Sequence, residues 1–98
     1  MKEERVETPM GAFVLKELTW GEYNDILKDS VVVKVYPNGA TDTRVDMIKF
    51  KELLVLKSIK EAPFGKPTIQ KIRNLPVEVG ELLYRKAMEI NPFLANIE

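Results

Sequence analysis

The chain has 98 residues, of which 45% are hydrophobic and 31% charged, and its 15 basic residues balance 15 acidic ones. This length predicts one domain with a modest core, and the neutral balance gives no electrostatic reason to expect nucleic acid or an anionic membrane as a partner. Cysteine and histidine are both missing, which excludes disulfides, thiolate catalysis and the commonest general base. No apolar run reaches the roughly 18 residues of a membrane span, and the charged start lacks a signal-peptide h-region, so we expect a cytoplasmic protein.

The first third of the chain predicts a helix between two strands. Ala12–Leu18 has the apolar content of a strand. Thr19 and Glu22 then have the spacing of a capping box, in which each side chain accepts a hydrogen bond from the other residue's backbone N–H. This box predicts a helix over Trp20–Lys28. The β-branched run Val31–Tyr36 is the clearest strand in the chain.

A turn and the longest apolar segment follow. Pro37-Asn38-Gly39 predicts a turn, so Thr41–Val45 should return as the second strand of a hairpin. Asp46 is placed to cap a central helix over Met47–Glu61, which ends before a proline. A buried strand over Leu53–Leu56 is the alternative, but the Lys, Glu and Leu content of the segment favours the helix.

The last third predicts helices. Thr68 should cap a short helix over Ile69–Arg73, and a longer helix should occupy Val77–Ile90 before a partly apolar tail over Phe93–Glu98. Together these elements predict an α+β fold, in which a small N-terminal antiparallel sheet, made of the hairpin and the first strand, packs on a predominantly helical C-terminal half. Residues 1–10 are polar and predict a flexible tail, which leaves a single domain over residues 11–98.

The central helix should bury more than one side. Its apolar residues do not form one stripe at about 100° per residue, and a helix of this kind is covered by its own domain on several sides or by a partner. Aromatic residues add to an apolar total that is generous for this length, so we expect self-association or a protein partner. The candidate contact residues are Trp20, Tyr23, Ile48, Leu54, Phe64 and Phe93.

The motifs of catalysis and of cofactor binding are missing. Without histidine a Ser-His-Asp triad is impossible, and the scattered glycines match neither a dinucleotide fingerprint nor a phosphate-binding loop. The short and long helices over residues 68–90 have the order of a helix-turn-helix unit, but acidic Glu78 and Glu81 stand where such a unit reads bases. We therefore expect no enzyme activity, no catalytic residue, no cofactor, no metal and no DNA binding.

Four short motifs together resemble a known family. They are Leu18-Thr-Trp-Gly-Glu-Tyr-Asn-Asp25, the apolar helix that runs into Ala62-Pro-Phe64, Leu75-Pro-Val-Glu-Val-Gly80, and Asn91-Pro-Phe93. In this order and spacing the chain resembles the tail assembly chaperones of long-tailed bacteriophages and proviruses over roughly residues 12–93. Each motif also has an ordinary structural cause in a helix cap, a helix end or a helix start.

The resemblance implies a non-enzymatic function. Such chaperones bind the long, aggregation-prone tape measure protein, help to recruit the major tail protein so that the tail tube assembles around it, and tend to self-associate. No catalytic residue carries over. Two alternatives stay open: a small structural tail or head–tail connector subunit, and a cellular protein-interaction or adaptor domain.

Overall fold

The computed structural model describes residues 1–96 and shows an α+β fold with a helical C-terminal half. These residues form four helices and five short strands, and a 3-10 helix over Pro92–Asn96 ends the described chain. The elements are β1 (Glu3–Thr8), β2 (Gly11–Lys16), α1 (Trp20–Ser30), β3 (Val31–Val35), β4 (Thr41–Val45), α2 (Met47–Ser58), β5 (Ile59–Glu61), α3 (Ile69–Arg73) and α4 (Val77–Ile90).

The predicted flexible tail is wrong, because Glu3–Thr8 forms strand β1 of an antiparallel sheet with the order β1-β2-β5. Val6 is the only buried residue of β1 and joins the core, while its neighbours face solvent. Ion pairs hold the strand from outside: Glu3 lies 2.6 Å from Lys60, and Glu4 lies 3.5 Å from Lys86. A strand with one apolar residue among charges does not show the alternation that sequence reading depends on.

The central helix is shorter than predicted. Asp46 caps it as expected, with its carboxylate accepting from the Ile48 and Lys49 backbone N–H groups. The helix ends at Ser58, however, and the next three residues form β5 against β2. Ile59 is β-branched and buried in the core, so a strand satisfies both its packing and the hydrogen bonds of the β2 edge.

Two hydrophobic clusters share α2. Val55 belongs to the cluster between α4 and the three-stranded sheet, together with Phe13 and Leu15 of β2. Phe50 and Leu54 belong to the second cluster, which α1 and the end of α4 complete. The helix therefore buries more than one side within its own domain, as its apolar pattern predicted.

The hairpin is a separate two-stranded sheet and not part of the N-terminal sheet that the sequence predicted. Its loop is a tight turn: the Gly39 N–H donates to the Tyr36 carbonyl at 3.0 Å, and Gly39 has φ +85°. Only glycine adopts that conformation without strain. All five residues of β3 are exposed, and the hairpin contacts the second cluster at its base, through Val45 of β4.

The molecule is elongated, with extents of 52 × 27 × 20 Å. Its radius of gyration is 14.9 Å, against about 13 Å for a compact domain of about 100 residues. Among residues 1–96, none of the helices has the length and apolar content needed to cross a membrane.

Candidate partner-binding surfaces

Three of the predicted contact residues come together in an aromatic patch formed by Trp20, Tyr23 and Phe93. The capping box places Trp20 at the first position of α1, where its side chain is 80% exposed. The Tyr23 and Phe93 rings meet edge to face, with their centroids 5.2 Å apart. A tryptophan left this exposed beside two further rings has the composition of a contact surface.

Ile48 lies on a second surface, a groove between α2, α3 and α4 that we call the helical groove. Its apolar floor includes Val55, Ile72 and Leu75, and its apolar rims are Ile48 and Val77, which are 67% and 80% exposed. The groove encloses about 290 Å³. That volume is at the lower limit for small-molecule sites and suits one or two side chains of a docked protein segment.

Charged residues of both signs surround the helical groove. Lys51 pairs with Glu81 across it and also lies 4.8 Å from the centre of the Tyr84 ring. On the α3 side, Arg73 pairs with Glu52 at 3.3 Å. The rim therefore carries no net charge and matches a partner with mixed charges around an apolar stripe.

Gly80 leaves an opening in the wall of the helical groove. It lies within α4, and a Cβ built on it meets no atom within 4 Å. The missing side chain lets a partner approach the α4 backbone closely, which is one of the uses of glycine in a helix. The sequence motif that ends at Gly80 gave no direct sign of this groove, because α2 and α3 meet α4 only in the folded chain.

Leu54 and Phe64 do not lie on any contact surface. Leu54 is completely buried in the second cluster, so as a partner-binding residue it is wrong for the folded chain. Phe64 is half-buried and packs edge to face on Phe13, with ring centroids 5.8 Å apart. Lys71 covers its ring from 5.5 Å. Sequence patterns report that a residue is apolar, but not which layer covers it.

The exposed hairpin is a third apolar surface, which the contact prediction missed. Val31, Val33 and Val35 point to one face of β3, and Val33 and Val35 are 56% and 68% exposed. On the same face, β4 contributes Thr41, Thr43 and Val45 through the register. The β-branched run in the sequence predicts this strand, but the prediction places it in a sheet packed on the helical half, which would have covered it.

The titratable groups with shifted pKa values stabilise local structure. Burial raises the pKa of the Glu22 carboxyl, but hydrogen bonds from Lys16 and from the Thr19 backbone lower it by more, so its pKa lies below the ordinary value. Lys16 Nζ lies 2.7 Å from this carboxylate, which closes the capping box of α1. On β5, the hydrogen bond and the charge interaction with Glu3 raise the pKa of Lys60 above its ordinary value. Over residues 1–96 there is no group of three or more acidic residues arranged to hold a metal ion.

Comparisons with family models, with curated proteins and with solved structures found no match to this chain. The surfaces described above are therefore interpreted from their own geometry and from the motifs in the sequence.

Proposed function

We propose that the chain is a non-enzymatic tail assembly chaperone of a long-tailed bacteriophage or provirus, which binds the tape measure protein and promotes assembly of the tail tube. The four sequence motifs support this family, and the α+β order of a capped helix, a hairpin, a central helix and a last helix after a Leu-Pro turn agrees with it. Its further partners would be the major tail protein and other copies of the chain, in the host cytoplasm.

The observation that carries the proposal is the helical groove. An aggregation-prone helical client needs a surface that covers its apolar stripe during assembly. The groove offers Ile48 and Val77 on its rims, an opening at Gly80 and neutralised charges around it. A groove between helices with this composition suits one turn of an amphipathic helix, from which one or two neighbouring apolar residues, at positions i and i+3 or i+4, would enter it.

The test is co-expression of the chain with the tape measure protein encoded beside it, followed by copurification and measurement of client solubility. The critical variant is Gly80→Leu, which fills the groove. Because glycine is about 1 kcal/mol less favourable than alanine within a helix, this substitution should not unfold α4. We expect it to abolish copurification.

Gly21→Leu is the matched control. Gly21 is also a glycine of a helix with no atom within 4 Å of its Cβ position, but it lies on α1 outside the groove. It should leave client binding unchanged. If the unaltered chain neither copurifies with the tape measure protein nor raises its solubility, the proposed function is wrong. Retention of the chain in finished particles, detected by mass spectrometry, would favour a structural tail subunit instead.

A further inference from the structure

The free edge of β3 is the least protected strand edge of the folded protein. Within residues 1–96, β3 pairs with β4 alone, and its sequence Val-Val-Val-Lys-Val has one charge and no proline. Natural proteins usually protect such edges with charges, proline or bulges, because an unpaired edge can bind another strand. An isolated two-stranded hairpin is also only marginally stable in water, so pairing by a further strand would stabilise it.

The backbone groups that face this edge follow from the hydrogen bonds at the two ends of the hairpin. The Asp46 N–H donates to the Ser30 carbonyl at 2.7 Å, and the Tyr36 N–H donates to the Ala40 carbonyl at 2.9 Å. The register between them is uninterrupted. Since hydrogen-bonded and non-hydrogen-bonded pairs alternate in an antiparallel ladder, the even-numbered residues of β3 bond to β4. Its odd-numbered residues point their N–H and C=O groups outward.

We propose that a second copy of this chain binds this edge, with the two β3 strands antiparallel about a two-fold axis at Val33. Val33 then faces its own counterpart, and Val31 faces Val35 of the other copy in both directions. These are the residues whose backbone groups point outward, so each facing pair exchanges two hydrogen bonds, about six in all. The result is a continuous four-stranded sheet with the order β4-β3-β3-β4, in a dimer that adds no further copies through β3.

Side chains select the same register. With the axis at Val33, Lys34 faces Val32 of the other copy, and the valine face of each hairpin continues across the axis. An axis at Lys34 would place two like charges directly opposite, which is destabilising. An axis at Val32 would pair only Val31 with Val33 and lose about two of the hydrogen bonds.

A second copy fits this edge best, because β3 is complementary to itself: its outward backbone groups and its valines meet the same groups of the other β3. The β4 edge is less suited because Asp42 and Arg44, which pair with each other, interrupt its threonines. Pairing of β3 with β4 of the next copy would be heterologous and would build open chains. Pairing of β3 with β3 closes after two copies.

The experiment compares Val33→Pro with Thr43→Pro, two residues that face each other in the hairpin. Each substitution removes an outward N–H and leaves the β3–β4 ladder intact, so both perturb the hairpin alike. We expect Val33→Pro to weaken the dimer by about 25-fold or more, since two hydrogen bonds each contribute about fivefold to the dissociation constant. Thr43→Pro should change it little. The measurement is sedimentation equilibrium over a range of concentrations.

A crosslinking experiment does not depend on how the proline variants fold. The chain contains no cysteine, so Val33→Cys introduces a single thiol. Facing residues of a hydrogen-bonded pair have Cα atoms about 5.5 Å apart, which a disulfide can span. Mild oxidation should convert Val33→Cys to a covalent dimer, whereas Thr43→Cys should stay monomeric on a non-reducing gel.

Three outcomes overturn the proposal. They are a mass of 11.2 kDa for the unaltered chain at every concentration, equal weakening by the two proline variants, and crosslinking through Thr43→Cys but not through Val33→Cys. The dimer specifies the self-association that the proposed function includes, but it is argued from the β3 edge alone, and neither experiment contains the tape measure protein. Dimer formation can therefore be absent while client binding is observed, and client binding can be absent while the dimer forms.

Discussion

Strands β2 and β3 have similar apolar content but opposite surroundings. In β2, Phe13 and Leu15 are completely buried, because β1 and β5 flank the strand and α4 covers its face. In β3 no residue is buried, since within residues 1–96 the hairpin joins no other sheet and reaches the second cluster at its base, through Val45 of β4. Burial therefore depends on whether a second layer covers a strand, and not on the strand's own composition. The two hydrophobic clusters and the elements around them, which we call the body, should therefore respond differently from the hairpin to the same kind of substitution.

The largest contrast is expected from introducing a carboxylate into each region. Leu54→Asp places an unpaired charge in the second cluster, where Leu54 is completely buried, and should lower the free energy of unfolding by more than about 4 kcal/mol. Val35→Asp at the 68% exposed end of β3 should lower it by less than about 1 kcal/mol. Urea unfolding followed by circular dichroism measures both. Similar losses from the two variants would remove the distinction between body and hairpin.

An intermediate effect is expected from the buried Asn91, which joins the two ends of the body. Its side-chain oxygen accepts from the Leu18 N–H at 3.0 Å, and its amide donates to the Ala87 carbonyl at 2.9 Å. Asn91→Leu leaves both groups buried and unpaired, at a cost of about 3 kcal/mol. The Leu18 amide should also lose protection in hydrogen exchange.

Asn24→Leu, an exposed change on α1, is the control for Asn91→Leu and should stay within about 0.5 kcal/mol of the unaltered chain. An Asn91→Leu variant as stable as this control would mean that the buried amide does not hold the body together.

The smallest effect is pH-dependent and concerns the start of α1. Because the pKa of Glu22 is lowered on folding from its ordinary value of about 4.5, its ionised form stabilises the folded state above that value. This contribution is lost as the pH falls through the lowered pKa. Glutamine can also complete a capping box, so Glu22→Gln removes mainly the charge interaction with Lys16. It should cost about 0.5 kcal/mol at pH 7 and almost nothing near pH 2.

Thermal unfolding of the Glu22→Gln variant between pH 2 and pH 7 measures this difference. Asp25→Asn, an exposed change on the same helix, is the control and should show no comparable trend. A loss for Glu22→Gln that stays constant across this range would contradict the role of the carboxylate charge.

Local signals in the sequence predicted most elements of the fold. The capping residues Thr19, Asp46 and Thr68 act as expected, and the predicted bounds of α3, α4 and β4 agree with the structure. These elements are specified by neighbouring residues, because a cap or a turn needs only a few positions along the chain. Strand β5 was missed because its partner β2 is distant in sequence, and pairing rather than propensity determines it. Strand β1 pairs with the adjacent β2, but its single valine among charged residues gives no apolar alternation.

The candidate surfaces could be predicted only in part. Trp20 and Phe93 were identified as aromatic and are exposed, and Tyr23 joins them, but Leu54 has the same apolar character and lies in the core. The helical groove depends on the packing of three helices, and Val77 gave no separate signal. The final two residues of the predicted domain, 97 and 98, lie outside the described residues.

The junction between α1 and β3 links the orientation of the hairpin to that of the helix. Helix α1 ends at Ser30 and β3 begins at Val31, with no connecting loop. Ser30 Oγ donates to the Ile26 carbonyl at 2.6 Å, and the Ser30 carbonyl accepts from Asp46 at the start of α2. The start of β3 is thus hydrogen-bonded to both α1 and the start of α2. Any partner that tilts the hairpin would turn α1 with it and reorient Trp20 at the far end of that helix.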